Sequence, residues 1–303
     1  MIRVAALVGP TAVGKSATAI ELAETLDAEI VSVDSMQIYR GMDVGTDKVP
    51  AEMRERVPHH LLDLREPSHD VTVAEFQQLA RAAIDDISER GRLPLLVGGS
   101  GLYFRAIVDD LEFPPRSPEV RAALEERIEL EGPAPLHEEL AARDSLAASR
   151  IEPANARRIV RALEVIEITG RPFSANTAWE RYESRYDLRV AGLELSAGVL
   201  HRRIEDRVED MLRRGLVEEA RGIAAAGMSP TARQALGYRQ VLEAGPSSDV
   251  DGLRREIVTA TKRFARRQRS WFRSDPRLQW FDAASPGLVQ ALERFFTDEG
   301  AVP

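Results

Sequence analysis

The chain contains no cysteine, which excludes disulfides, thiolate nucleophiles, zinc–thiolate sites and iron–sulfur clusters. Lysine is nearly as scarce: Lys15, Lys48 and Lys262 are the only three, and arginine supplies the rest of the 41 basic residues. No apolar run approaches the length of a membrane-spanning helix. Met1-Ile2-Arg3 leads straight into an apolar segment and lacks the layout of a signal peptide. These absences predict a cytoplasmic protein with no membrane partner. Of the five histidines, His59 and His60 are adjacent, so their side chains diverge and a metal site is not expected from them.

What is present fits a globular protein of one large domain or two smaller ones. It has 303 residues, 44% hydrophobic and 30% charged. The net charge of −8 argues against indiscriminate binding to nucleic acid, but the charge is unevenly spread. Arg254, Arg255, Lys262, Arg263, Arg266, Arg267, Arg269, Arg273 and Arg277 face only Glu256 and Asp275 across residues 254–277.

One of the three lysines lies in the most informative segment. Gly9-Pro10-Thr11-Ala12-Val13-Gly14-Lys15-Ser16 satisfies every position of a P-loop, directly after the apolar run Val4-Ala5-Ala6-Leu7-Val8. The glycines let backbone N–H groups turn inward around a di- or triphosphate. Lys15 adds a point charge, and the Ser16 hydroxyl is placed to ligate Mg²⁺. The helix that follows directs its positive dipole end at the same anion. Such loops belong to nucleotide-binding and ATP-binding folds; the motif itself specifies a polyphosphate, not the molecule that carries it.

The first hundred residues alternate strands and helices. Strands are expected over about 2–8, 29–33 and 93–97, and a helix runs from Lys15 to about Leu26. Thr72-Val73-Ala74-Glu75 is a capping box that opens another helix, which Gly91 closes. This alternation predicts an α/β fold: a P-loop NTPase-like parallel sheet flanked by helices. Asp34, Ser100 and the P-loop all follow strand ends, so they are expected on one rim, where such sheets bind ligands. Near Phe113-Pro114-Pro115-Arg116-Ser117-Pro118 the pattern turns helical, with clear helices over 119–131 and 155–169. The expected domains are therefore a core of 1–115 and 190–303 and a mainly helical insertion of 116–189. The return strand is expected at Val190–Leu195, followed by one long helix over about 199–226 and another over 251–273.

Around the rim several readings stand side by side. Asp34 could be a turn former, a Mg²⁺-holding acid or a general base beside the bound phosphates. Ser35, Met36, Gln37 and Tyr39 could read a planar ligand or be ordinary loop residues. Gly98-Gly99-Ser100-Gly101 is a second Gly-rich strand-to-helix turn, weak as evidence by itself. Arg203 and Arg207, one helical turn apart, could converge on one anion or pair with Glu205, Asp206 or Glu209. Residues 262–273 interleave arginines with Phe264, Trp271 and Phe272; with Ile257 these apolar positions suit one buried helix face, and the arginines suit phosphates or plain solvent. Arg157, Arg158 and Arg161 form a second basic cluster. Two clusters on an acidic chain point to a localised nucleic-acid track.

Taken together these segments resemble the tRNA dimethylallyltransferase, or tRNA isopentenyltransferase, family of the bacterial type. The matching pieces are the P-loop and the run Asp34-Ser35-Met36-Gln37-Ile38-Tyr39-Arg40-Gly41-Met42-Asp43-Val44-Gly45-Thr46. They continue with Pro58-His59-His60-Leu61-Leu62-Asp63, Leu96-Val97-Gly98-Gly99-Ser100-Gly101-Leu102-Tyr103, Arg161-Ala162-Leu163-Glu164-Val165 and Leu236-Gly237-Tyr238-Arg239-Gln240. They span almost the whole chain, and the Asp34–Thr46 run is the most specific.

The resemblance implies transfer of a dimethylallyl group from dimethylallyl diphosphate to N6 of the adenosine immediately 3′ of a tRNA anticodon, with Mg²⁺ as cofactor and diphosphate leaving. It implies Asp34 as the acid that takes the N6 proton. It implies Ser100 at a position where many members carry Thr, Thr11 facing the diphosphate, and Arg203 or Arg207 as the diphosphate-side arginine. Arg121, Arg157, Arg158, Ile159, Val160 and Arg161, with Gln234, Gly237, Tyr238 and Arg239, align with tRNA-contacting stretches, alongside Asp34, Ser35, Met36, Gln37 and Ser100. The insertion would grip the anticodon stem-loop while the target base flips out. A monomer is expected, and the absence of cysteine excludes the zinc finger of some eukaryotic members. The rivals are a small-molecule or nucleoside kinase, which the insertion and basic helices fit poorly, and a guanine-reading switch. The switch lacks its recognition run, since Thr261-Lys262-Arg263-Phe264 has no acid.

Overall fold

The computed structural model describes residues 1–176, 181–245 and 249–297. It divides into two compact units: Met1–Asp110 with Tyr182–Pro303, and Leu111–Arg181. The division falls a few residues before each expected boundary. On the return side, Tyr186 is buried in the core of the sheet unit, and Arg185 N–H donates to Val108 O at 2.9 Å.

The sheet unit is built on six parallel strands: β1 (Arg3–Val8), β2 (Ala28–Val33), β3 (His59–His60), β4 (Leu93–Gly98), β5 (Asp187–Glu194) and β6 (Leu278–Asp282). Their order is β3-β2-β4-β1-β5-β6. Val4–Val8 and all of β2 are buried. This is why Val4–Val8 runs continuously apolar rather than alternating, whereas β2 buries two polar residues with partners, Glu29 beside His60 and Ser32 on Gln37. Neither edge strand is visible as such in the sequence: β3 is two residues long, and β6 (Leu-Gln-Trp-Phe-Asp) is only partly buried.

The sheet unit carries α1 (Lys15–Leu26), α2 (Ala51–Arg56), α3 (Val73–Glu89) and α4 (Gly101–Val108) before the insertion. The insertion contains α5 (Pro118–Glu131), α6 (Pro133–Arg143), α7 (Ser145–Arg150) and α8 (Ala156–Thr169). The sheet unit resumes with α9 (Ala197–Arg213), α10 (Leu216–Ala226), α11 (Tyr238–Ala244), α12 (Val250–Arg273) and α13 (Leu288–Thr297). Half of the Thr72 capping box forms: the Thr72 hydroxyl accepts from Glu75 N at 3.1 Å, while the Glu75 carboxylate is held by Arg65 and His69. The single helix expected over 199–226 is two, because Gly215 stands between α9 and α10 at φ +94°, a left-handed conformation that breaks the helix.

The helical unit has its own core of Leu124, Leu136, Leu140, Ile159, Leu163 and Ile166. Glu164, with none of its surface exposed, is held there by Arg121 at 2.9 Å and Arg161 at 2.8 Å. Burial pushes the Glu164 carboxyl up, but hydrogen bonds from Arg161 and Arg121 outweigh it and hold the group below the usual carboxylate range.

Candidate active site

Strand register builds the rim. Val33 is level with Gly98, and Val8 is level with both Gly98 and Gly192. The residues that follow, Asp34, Gly9 and Gly99, therefore leave the sheet side by side at its carboxyl edge. Close approach there requires glycine. A Cβ on Gly98 would lie 2.2 Å from Val33 O, and one on Gly9 would lie 2.6 Å from Leu193 O.

Beneath this rim a cavity is lined by Thr11, Lys15, Ser16, Ser32, Asp34, Gln37, Thr46, Asp47, Arg207, Phe264 and Gln268, with Ala19, Ile30, Val49, His59, Val97, Gly98 and Gly99. The P-loop wraps one end. Gly14 (φ +108°) caps α1, and Ala12 is held at φ +63°. Lys15 Nζ donates to its own loop's carbonyls, Gly9 O at 3.0 Å and Pro10 O at 2.8 Å. Burial, then the nearby Arg207 guanidinium, lower the Lys15 pKa to about 7 against the opposing pull of Asp34.

The two candidate arginines of α9 separate. Arg207 lines the cavity and pairs with Asp47 at 3.2 Å. Arg203 is docked behind the loop, donating to Val13 O at 3.1 Å. Asp34 accepts from Met36 N at 2.9 Å through one oxygen and faces the cavity. Gln37 donates to Thr46 O at 3.1 Å and accepts from Ser32 Oγ at 2.8 Å, so its amide is a fixed part of the cavity floor. Ser100 stands at the N-cap of α4, next to lining residues Gly98 and Gly99, and its side chain makes no capping hydrogen bond.

Two functional residues were missed in the sequence reading. Glu219 on α10 accepts from three successive amides, Asp43 N at 3.0 Å, Val44 N at 2.9 Å and Gly45 N at 3.1 Å. The Tyr238 hydroxyl donates to it at 2.5 Å. This clamp fixes the loop that carries Thr46 and Asp47 into the cavity, and Gly45 lacks a Cβ because the Tyr238 ring occupies that space. The other is Gln268 of α12, buried at the cavity's edge. The signal was present: on α12 the buried positions 257, 261, 265, 268 and 272 follow helical spacing, and a glutamine in such a stripe needs a polar partner.

Burial or an internal partner occupies the side chains of several residues expected to meet tRNA. The Tyr238 side chain is fully buried and tied to Glu219, and Gly237 is buried at the N-cap of α11. Ile159 and Val160 belong to the core of the helical unit. Arg121 and Arg161 hold Glu164, and Arg161 also donates to Pro114 O at 2.8 Å. Arg157, Arg158, Gln234 and Arg239 are exposed, as are Arg263, Arg266 and Arg267 on α12. The expected α12 apolar face is also revised. Phe264 is half-buried and lines the cavity, while Arg269 and Arg273 reach Glu194 at 3.0 and 3.4 Å. Among the described residues no group of three or more His, Cys, Asp or Glu side chains could hold a metal ion, and no helix is long and apolar enough to cross a membrane.

Comparison with known proteins meets this geometry. The family model described as IPP transferase matches residues 37–275. A tRNA dimethylallyltransferase of Salinispora arenicola is 54% identical over 290 residues, covering 94% of this chain and 84% of that one. The solved tRNA isopentenylpyrophosphate transferase of Bacillus halodurans is 38% identical with a TM-score of 0.70, covering 98% of this chain and 95% of that one. A eukaryotic dimethylallyltransferase acting on tRNA superposes with a TM-score of 0.79 at 26% identity, covering 93% of this chain and 74% of that one. Matched across most of its length by the family model and identical to a relative at more than half of the aligned positions, the chain belongs to the IPP transferase family.

Proposed function

We infer that the protein transfers the dimethylallyl group of dimethylallyl diphosphate to N6 of the adenosine immediately 3′ of a tRNA anticodon, releasing diphosphate. The observation that carries this reading is one cavity that holds a P-loop grip (Lys15, Ser16, Arg207) and a carboxylate, Asp34, on the neighbouring strand end. It is supported by family membership and by the names of the relatives. In the reaction, N6 forms a bond to C1 of the prenyl group as the C1–O bond to diphosphate breaks, and the N6 proton passes to Asp34. Lys15 and Arg207 neutralise the charge that develops on the leaving diphosphate. Thr11 lines the cavity, and Ser100, one residue past lining Gly99, offers its hydroxyl to the acceptor base. Arg203 acts from behind, holding the loop.

The donor set suits Mg²⁺. That ion keeps most of its waters and binds through one or two protein oxygens plus substrate phosphates, and Ser16 supplies such an oxygen beside the P-loop. Bound there, Mg²⁺ would add positive charge to the diphosphate. Incubation with donor and tRNA, followed by digestion to nucleosides, tests the reading: the added mass is expected on the adenosine 3′ of the anticodon, and unmodified tRNA contradicts it.

Lys15 makes donor binding depend on pH. With a pKa of about 7 it is mostly neutral at higher pH, and a diphosphate beside it restores the charge. Binding therefore takes up a proton above pH 7, and affinity falls by up to about tenfold per pH unit as pH rises toward the ordinary lysine range. Calorimetry of diphosphate binding at about pH 8.5 in buffers of different ionisation enthalpy should show an uptake approaching one proton, absent in Lys15→Ala. No uptake in the parent protein would place Lys15 outside the diphosphate grip.

The exposed basic residues fit the phosphates of the tRNA. The double charge reversal Arg157→Glu with Arg158→Glu is expected to weaken tRNA binding and to flatten its salt dependence by about 1–2 units of slope. Arg161→Ala acts differently: it removes a partner of the buried Glu164 and should destabilise the protein by about 2–3 kcal/mol in chemical unfolding. A salt slope unchanged in the double variant would return Arg157 and Arg158 to plain solvated surface.

A further inference from the structure

Gln268 joins the two Gly-rich turns of the site. Its Oε1 accepts from Thr11 N at 2.9 Å, and its Nε2 donates to Gly99 O at 2.9 Å. The side chain is 7% exposed, and both ends of its amide are engaged. One end holds the backbone of the P-loop, and the other holds the backbone of the turn that carries Ser100. The contact is also tight. A Cβ on Gly99 would lie 2.2 Å from Gln268 Nε2 and 3.0 Å from Gly9 O, so the three segments pack with no space for a methyl group. Gly101, one residue past Ser100, is pressed in the same way by Trp271, whose ring would lie 2.2 Å from an added Cβ. Helix α12 thus braces both turns, through Gln268 at Thr11 and Gly99 and through Trp271 at Gly101.

We propose that Gln268 is a positioning residue that sets the distance between the diphosphate-binding loop and the acceptor side of the site. The proposal rests on the transferase reading and adds a part to it. Thr11 N–H points at Gln268 and so does not serve a phosphate; its role is to fix where the loop stands relative to Gly99. The reaction needs C1 of the donor and N6 of the acceptor in line, and a displacement of about 1 Å costs on the order of 100-fold in rate. A residue of this kind affects rate far more than either binding step.

The test uses the full chain in single-turnover transfer with both substrates saturating. In Gln268→Ala the transfer step is expected to slow by roughly 30- to 100-fold, while the Kd values for inorganic diphosphate and for tRNA stay within about threefold of the parent. Gly99→Ala, which pushes the amide away by its Cβ, should slow the step similarly. The double variant should be slowed by well under the product of the two single effects, because the nearest group that the new methyl would strike is gone and only the Gly9 O contact at 3.0 Å remains. Gln268→Glu keeps the acceptor for Thr11 N–H but replaces the donor to Gly99 O by an acceptor, and should fall near Gln268→Ala rather than near the parent.

Equal losses in diphosphate affinity and rate would overturn the proposal and make Gln268 a simple prop of the P-loop. Multiplicative effects in the double variant would show that the two residues act separately, and would overturn it as well. Failure of the parent protein to transfer the prenyl group at all would instead count against the transferase reading itself.

Discussion

Asp34→Asn is expected to lower turnover on the order of 1,000-fold while leaving tRNA affinity within about twofold. The amide keeps the shape of the side chain and one acceptor oxygen, so the Asx turn to Met36 N survives. What it loses is the ability to take a proton. An exocyclic adenine amine is a poor nucleophile because its lone pair is delocalised into the ring. Attack on C1 leaves it positively charged unless a base removes the proton, and Asp34 is the carboxylate on the strand end beside the P-loop. An equal fall in kcat and in kcat/KM for the donor is the expected signature, since the interaction exists only in the transition state. Asp34→Asn turning over at the parent rate would remove Asp34 as base.

Lys15→Ala is expected to reduce kcat/KM for the donor by roughly 100- to 1,000-fold, with tRNA binding spared. Its Nζ lies inside the P-loop, and Arg207 lines the same cavity. The Nζ bonds to Gly9 O and Pro10 O show that the side chain folds back over its own loop, in reach of anything the loop encloses. The effect differs from that of Asp34→Asn in kind. Diphosphate affinity falls as well as rate, because the charge that stabilises the leaving group also attracts the ground-state donor. Retention of both diphosphate affinity and rate would contradict the assignment of the loop.

β1 and β4 were legible because they are buried and read as near-continuous apolar runs, and β2 because Ile30, Val31 and Val33 dominate it despite the buried Glu29 and Ser32. The P-loop, Asp34 and Ser100 were placed on one rim by counting from strand ends. Gly215 was not read as the break between two helices, since an isolated glycine in a helical pattern looks tolerable until its φ is seen. The role of Arg207 against Arg203 could not be separated, because one helical turn of spacing puts both on the same face. Only the tertiary contacts, Asp47 for one and Val13 O for the other, distinguish them.

The residues expected to meet tRNA show the opposite failure. Arg161 sits in the same basic cluster as Arg157 and Arg158, yet it faces a buried carboxylate three residues along its own helix. Tyr238 sits in a run that resembles the family's, yet its ring fills the space beside Gly45. A motif marks a position that matters; it does not say whether the side chain meets substrate or holds the chain that does. Gln268 and Glu219 illustrate the same point from the other direction. Each binds backbone groups far away in sequence, and neither partner is recognisable from composition or spacing.

The most direct measurement of the central claim is a two-armed label transfer. Purified protein, Mg²⁺ and a tRNA with adenosine 3′ of its anticodon are incubated with dimethylallyl diphosphate labelled in the prenyl group. A parallel arm supplies ATP labelled at the γ-phosphate with a panel of nucleosides. Prenyl label in the tRNA, lost in Asp34→Asn, with no phosphoryl label in any nucleoside, is the predicted result. Phosphoryl label in a small acceptor and none in the tRNA would contradict it, and would make the P-loop a kinase's grip on ATP.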